Sequence, residues 1–207
     1  NEIILDLYRI ENDSASTYEL PFYNGGHLMS TSFKYKTLNT LKPLGKTYGF
    51  QHLWTEAMAE INAPQAKITW FNGTNFYSLT TATQAGDEIS FGRIGANDPN
   101  FNLRRDPVLI HKRKESTRTL FANLIEVHGR YNPANEIPVN SFSSVDKIQV
   151  MMDTEAYTVV QFILNNSKTY VFSLSNLDAD GSKKHSIKAG NTDLEWTGPY
   201  QLTTLEN

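Results

Sequence analysis

Gln65-Ala-Lys-Ile-Thr-Trp-Phe-Asn-Gly-Thr-Asn-Phe-Tyr-Ser-Leu-Thr-Thr81 decides the fold class. Two runs rich in β-branched and aromatic residues flank Asn72-Gly73. Asn and Gly tolerate the positive φ of a tight hairpin turn, so the stretch predicts two antiparallel strands. The same signature spreads outward in both directions. Residues 3–10 are aliphatic and β-branched, and residues 50–60 place Phe50, His52, Trp54 and Glu56 on one face by the period of two. Residues 87–94, 108–114 and 119–128 are short runs between polar turns, and 145–152, 157–164 and 169–175 form a meander. Asp180-Gly181 and Gly190-Asn191 mark further turns before 193–196 and 200–204. No segment sustains a 3.6-residue period with caps over three turns, so the expectation is an all-β antiparallel β-sandwich.

The segment 25–49 has few strand signals and reads as a long excursion over the sandwich. Asn140-Ser-Phe-Ser-Ser144 is a polar break. It divides the expected β-sandwich, residues 1–140, from a smaller C-terminal β region, residues 141–207. The chain opens at once on a strand, as a piece cut from a larger sandwich does. Such a piece leaves early strands without partners and exposes an apolar patch, for which Phe22, Phe50 and Trp54 are the candidates.

The chain has 207 residues, a net charge of −3 and no cysteine. That length can bury a sizeable core. The charge gives no pull toward nucleic acid or an anionic membrane. Without cysteine there is neither a disulfide framework nor thiolate chemistry, and no window is apolar enough to span a membrane. The five histidines lack metal-ligand spacing. Asp178-Ala-Asp-Gly181 starts like a calcium loop, but Lys183, Lys184 and His185 follow where oxygen donors are needed. There is no Gly-x-Ser-x-Gly.

Two polar clusters carry the candidate chemistry. The strand ending at Ile94 runs into Gly95, Asn97, Asp98, Asn100, Asn102, Arg104 and Arg105. Glu126-Val-His-Gly-Arg-Tyr131 and the residues after it form the second. Amides and guanidinium forks suit a ligand with hydroxyls and carboxylates, which is an acidic sugar polymer. Arg93, Asn97, Asp98, Asn102, Arg104, Glu126, His128 and Tyr131 are the candidate substrate-binding residues. The alternative is that these Asn, Asp and Gly residues only satisfy turns, with Glu126 pairing with Arg93 or Arg104. In the basic run 104–118, His111 and Arg113 share one face and Lys112 and Lys114 the other. The lysines read as protection of an edge strand.

Several stretches resemble the alginate lyases of polysaccharide lyase family 17, in the heparinase II/III-like superfamily. They are Leu5-Asp-Leu-Tyr-Arg-Ile10, Tyr18-Glu-Leu-Pro-Phe-Tyr23, Leu41-Lys-Pro-Leu-Gly45, Gly49-Phe-Gln-His-Leu-Trp54, Arg93-Ile-Gly-Ala-Asn-Asp-Pro-Asn-Phe-Asn-Leu-Arg104 and Glu126-Val-His-Gly-Arg-Tyr-Asn132. The resemblance runs in order over residues 5–136. It implies the later part of a β-sandwich that lies behind an N-terminal α/α-toroid. It further implies cleavage of uronate-containing polysaccharide by β-elimination, and a periplasmic or secreted protein. The family's tyrosine acid, its base, its Asn-His pair and its zinc-carrying segment have no counterpart in this chain. No catalytic residue and no metal is therefore carried over, and the chain alone is expected to be inactive. A stand-alone carbohydrate-binding sandwich and a purely structural module are the other readings.

Overall fold

A computed structural model describes residues 2–95, 103–165 and 167–205. The strands are, in chain order, β1 Glu2–Phe22, β2 His27–Thr31, β3 Lys36–Pro43, β4 Leu53–Ile61 and β5 Gln65–Asn72. Next come β6 Asn75–Ala82, β7 Asp87–Gly95, β8 Leu103–Asn132, β9 Ile137–Val139 and β10 Val145–Asp153. The last are β11 Tyr157–Leu164, β12 Lys168–Ser175, β13 Lys184–Ala189, β14 Thr192–Thr197 and β15 Tyr200–Leu205. All pairing among them is antiparallel. The chain is an all-β sandwich, and among the described residues no helix is long and apolar enough to cross a membrane.

The first nine strands share one sheet, ordered β2-β5-β6-β8-β7-β4-β3, with β1 and β9 also paired to β8. This sheet folds over itself. The first half of β8 pairs with β7 and its second half with β6, while β1 follows it through both. The bend lies where Glu115 takes a φ of 54° and the β1–β8 register slips between Glu11 and Tyr18. An irregularity of that kind kinks a strand and lets one sheet supply both walls of a sandwich. Ala59 and Ile61 of β4 and Ile89 of β7 then face Ala66 and Ile68 of β5 across the first core.

A second core lies on the other face of β6 and the second half of β8. There Ala82, Ala122 and Leu124 meet Val145, Ile148, Val160 and Phe162 from the sheet β10-β11-β12-β15. A third core joins that sheet to the β13–β14 hairpin through Val159, Val171, Leu194 and Trp196. Strands at the centre of this stack are buried on both faces, which explains their loss of apolar–polar alternation: every residue from Ser78 to Ala82 is buried.

Four expectations change. The segment 25–49 contains β2 and β3, which cap opposite ends of the folded sheet. Phe50–His52 is a turn of 3₁₀-helix, so β4 starts only at Leu53. The runs 108–114 and 119–128 are one bent strand, and β8 is a central strand, not an edge. The apolar exposure lies elsewhere as well: Phe22 packs against the first core, whereas Ile4 and Tyr8 of β1 are 58% and 52% exposed.

Candidate functional site

The first cluster starts from the end of β7. Arg93 stands opposite Trp54 of β4, and its guanidinium pairs with Glu56 at a register slip in β4. Both side chains are partly exposed. Gly92 permits this approach, because a Cβ there would come within 2.7 Å of the Trp54 carbonyl oxygen. Asn97, Asp98 and Asn102 lie outside the described residues. Arg104 belongs to β8, with only its backbone described.

The second cluster is built differently. Glu126 is fully buried. Ser143 Oγ donates to its carboxylate at 2.6 Å, Ser144 N donates at 2.9 Å, and Ser144 Oγ donates as well. Burial raises the Glu126 pKa. The hydrogen bonds from Ser143 and Ser144, with the nearby His128, outweigh it and hold the carboxyl below its ordinary value. His128 is also buried. Its Nδ1 donates to the Asn140 carbonyl at 3.0 Å, because a carbonyl only accepts. Its Nε2 lies 2.9 Å from Ser78 Oγ, and Ser78 lies 2.7 Å from Thr69 Oγ1. Both side chains are thus engaged inside the chain, where they anchor residues 140–144 between the two sheets. From β5, the Gln65 amide donates to Asp146 O at 2.9 Å and accepts from Ile148 N at 2.9 Å. Gly129 makes the linker's close approach possible, with a φ of 53° and no room for a Cβ beside Asn140 O. Tyr131 is half-buried, edge-on to Phe71 at 6.1 Å.

Pairing along β8 does not bring the clusters together. Arg93 sits beside Pro107, while Glu126 sits beside Ser78 and Ile3. Arg93 takes Glu56 as its partner.

Two further features were not singled out from the sequence. The first is an internal ionic cluster. Asp87 accepts from His111 Nε2 at 2.8 Å, from Arg113 Nε at 3.0 Å and Nη2 at 2.7 Å, and from Gln84 N at 2.9 Å. Arg113 Nη1 also donates to Thr119 Oγ1 at 2.8 Å and Leu120 O at 2.9 Å. Burial raises the Asp87 pKa, but His111, Arg113 and the Gln84 amide more than reverse this and hold it well below the usual carboxylate range. The alternation of His111 and Arg113 with lysines signalled a shared face but not that the face is internal. On the other face Lys112 bonds Glu19 at 2.8 Å.

The second feature is a cleft of about 270 Å³ between the turn 48–50 and the outer face of β1. Tyr23 and Tyr48 border it, 63% and 95% exposed. Tyr48 has a φ of 59°, a costly conformation for a bulky residue. Glu19 supplies a carboxylate to the same cleft.

The resemblance raises a structural zinc. Among the described residues no three His, Asp or Glu side chains gather as a donor set. The buried His111–Asp87 pair is closed by the Arg113 cation, so it does not fit a zinc ion.

No family model matches the chain. It is 32% identical over 200 residues, 95% of its length, to an exo-oligoalginate lyase of Saccharophagus degradans, of which it covers 27%. It is 28% identical over 199 residues, 96% of its length, to an alginate lyase of Stenotrophomonas maltophilia, of which it covers 26%. The chain therefore spans about a quarter of the length of these curated relatives. Over nearly its whole length it is homologous to one portion of the alginate lyases, the group its motifs resemble.

Proposed function

We propose that this chain is the C-terminal β-sandwich part of an alginate lyase. The observation that carries the reading is the match to two such enzymes across 95% and 96% of the chain. In this reading the complete enzyme acts on acidic oligouronates by β-elimination. A base removes the C5 proton, the electron pair forms a C4–C5 double bond, and the C4–oxygen bond breaks as an acid protonates the leaving oxygen. Those groups belong to an N-terminal α/α-toroid, and this chain provides a wall of the cleft and support for the toroid. Residues 1–140 carry the wall, and residues 141–207 brace it from behind.

The substrate-facing part is the end of β7 and the loop after it. Arg93, Asn97, Asp98, Asn102 and Arg104 offer forks and amides to a uronate carboxylate and its hydroxyls. Tyr131 borders this wall. Glu126 and His128 act from inside, holding the linker so that the second half of β8 keeps its shape. In this reading the protein is periplasmic or secreted.

The exposed Tyr23–Tyr48 cleft favours one second reading, a carbohydrate-binding sandwich without activity. The deciding experiment measures the absorbance of unsaturated uronate released from alginate. It compares this chain with a protein that carries the upstream region of the relatives. The longer protein is expected to release product and the 207-residue chain to release none. Product from the chain alone overturns the proposal. A longer protein that binds oligouronate without cleaving it establishes the second reading.

A further inference from the structure

The first half of β1 has the sequence of an interior strand but sits at a sheet edge. Among the described residues Glu2-Ile-Ile-Leu-Asp-Leu-Tyr-Arg-Ile-Glu11 pairs only with β8, and its other side meets no strand there. Ile3, Leu5 and Leu7 pack toward the second core, while Ile4 and Tyr8 stand exposed on the opposite face. Apolar residues on both faces are the mark of a strand covered on both sides. Exposed edges are normally protected by Lys, Pro or a bulge. No Lys or Pro occurs between Glu2 and Glu11 and the first register slip comes after Glu11; the charges inside the run, Asp6 and Arg9, are engaged within the chain by Asn123 and by Glu11 and Asp153.

The sheet above this edge reaches beyond it. Tyr170, Phe172 and Leu174 of β12, with Tyr200 and Leu202 of β15, project toward the layer that contains β1. They and Ile3, Leu5 and Leu7 border an apolar groove of about 630 Å³. Leu202 is 55% exposed there. The groove has a roof drawn from β11, β12 and β15, one wall formed by β1 with Leu124 of β8, and no facing strand among the described residues.

We propose that a further β-strand adds to the open edge of β1 and fills this groove, and that it comes from the remaining polypeptide of the longer protein. This rests on the lyase reading above. The curated relatives extend over nearly four times the matched segment, so the polypeptide is at hand. The strand alternates apolar residues, one set against Phe172 and Leu202 and the other beside Ile4 and Tyr8. Main-chain hydrogen bonds give it affinity, and the side-chain alternation fixes its register. A second copy fits less well. Two-fold pairing of β1 with itself around Leu5–Leu7 sets two copies of Asp6 side by side, and like charges in opposed positions destabilise.

The test is amide hydrogen exchange on the full-length protein, read residue by residue over 2–11. Alternate amides of β1 bond to β8 and are protected in any case. The other set is expected to exchange at least about a hundredfold slower than in an unstructured chain. Exchange of that set at the unstructured rate overturns the proposal. So does protection that appears only at concentrations where the protein dimerises, which assigns the edge to a second copy. Alginate cleavage by the same preparation separates the two claims. A protected edge without cleavage sinks the lyase reading alone, and cleavage with an unprotected edge sinks the added strand alone. Leu202→Glu in the full-length protein adds a second readout. It is expected to raise exchange of the outward set at least about tenfold if the groove is filled, and unchanged exchange counts against the added strand.

Discussion

Along β8, His111 and Arg113 in the first half and Glu126 and His128 in the second are all buried, yet they stabilise different things. The first pair closes on Asp87 of the adjacent strand, so it locks two strands of one wall. The second pair closes on residues 140–144, so it locks one sheet to the chain that leads to the next. The first lock hydrogen-bonds opposite charges directly, whereas the described hydrogen bonds to the Glu126 carboxylate come from neutral serine groups. Removing a partner should therefore cost more in the first half than in the second.

The largest effect is expected for Asp87→Asn. It leaves the Arg113 guanidinium buried without its counter-charge, and breaking a buried pair in this way costs about 3–5 kcal/mol. Urea unfolding at neutral pH measures it. A loss under about 1 kcal/mol would mean that Thr119, Leu120 O and the Phe121 ring, 4.9 Å away, suffice to hold the cation.

Glu126→Gln comes next. The amide keeps the shape and loses an acceptor and the charge, so about 1–3 kcal/mol is expected. The comparison sharpens in where the damage falls. Hydrogen exchange should quicken at residues 140–145 for Glu126→Gln, and across β7 and the first half of β8 for Asp87→Asn. The same pattern in both variants would erase the distinction between a strand lock and a linker lock.

Acid provides a third way to break both at once. The Asp87 and Glu126 carboxyls titrate below their ordinary values in the folded chain. A depressed carboxyl binds protons more readily when unfolded. Its contribution is complete above the ordinary carboxylate pKa of about 4 and is lost as pH falls through the folded value. Stability should therefore decline below about pH 5, and the decline should be shallower in Asp87→Asn than in the parent chain. A parallel decline in both would show that other groups govern acid unfolding.

The residues visible in the sequence and those hidden from it divide on physical grounds. The 72–73 turn and the 145–175 meander were legible because local turn chemistry and apolar runs specify them. β2 and β3 were hidden because edge strands bury little and need no alternation; both are mostly exposed. The unity of β8 was hidden because its bend at Glu115 looks like a turn in sequence, and only the long partner β1 carries it across. For the candidate site, residue types pointed to polar chemistry but not to its direction. Glu126 and His128 qualified as ligand groups by residue type, and their hydrogen bonds to Ser143, Ser144 and Asn140, at least a dozen residues away, could not be read beside it. Nothing local encodes such a contact.

The smallest effect on stability is expected at Arg93, and there the comparison turns from structure to function. Its pair with Glu56 is partly exposed, and such pairs contribute about 0–1 kcal/mol. Arg93→Ala should thus leave the melting temperature of the full-length protein almost unchanged, unlike either lock in β8. If the end of β7 faces the substrate, the lost charge-assisted contact should lower kcat/KM on oligouronates by roughly ten- to a hundredfold. Arg93→Lys should recover only part of this, because an ammonium keeps the charge but not the planar fork. Glu56→Gln supplies the control. It releases Arg93 without removing it, so it should leave kcat/KM within about threefold of the parent. A fall in activity equal for Arg93→Ala and Glu56→Gln would mean that the ion pair, not the guanidinium, matters, and would assign Arg93 to the scaffold alongside His128. A fall confined to Arg93→Ala, with stability intact, would separate the end of β7 from both buried locks.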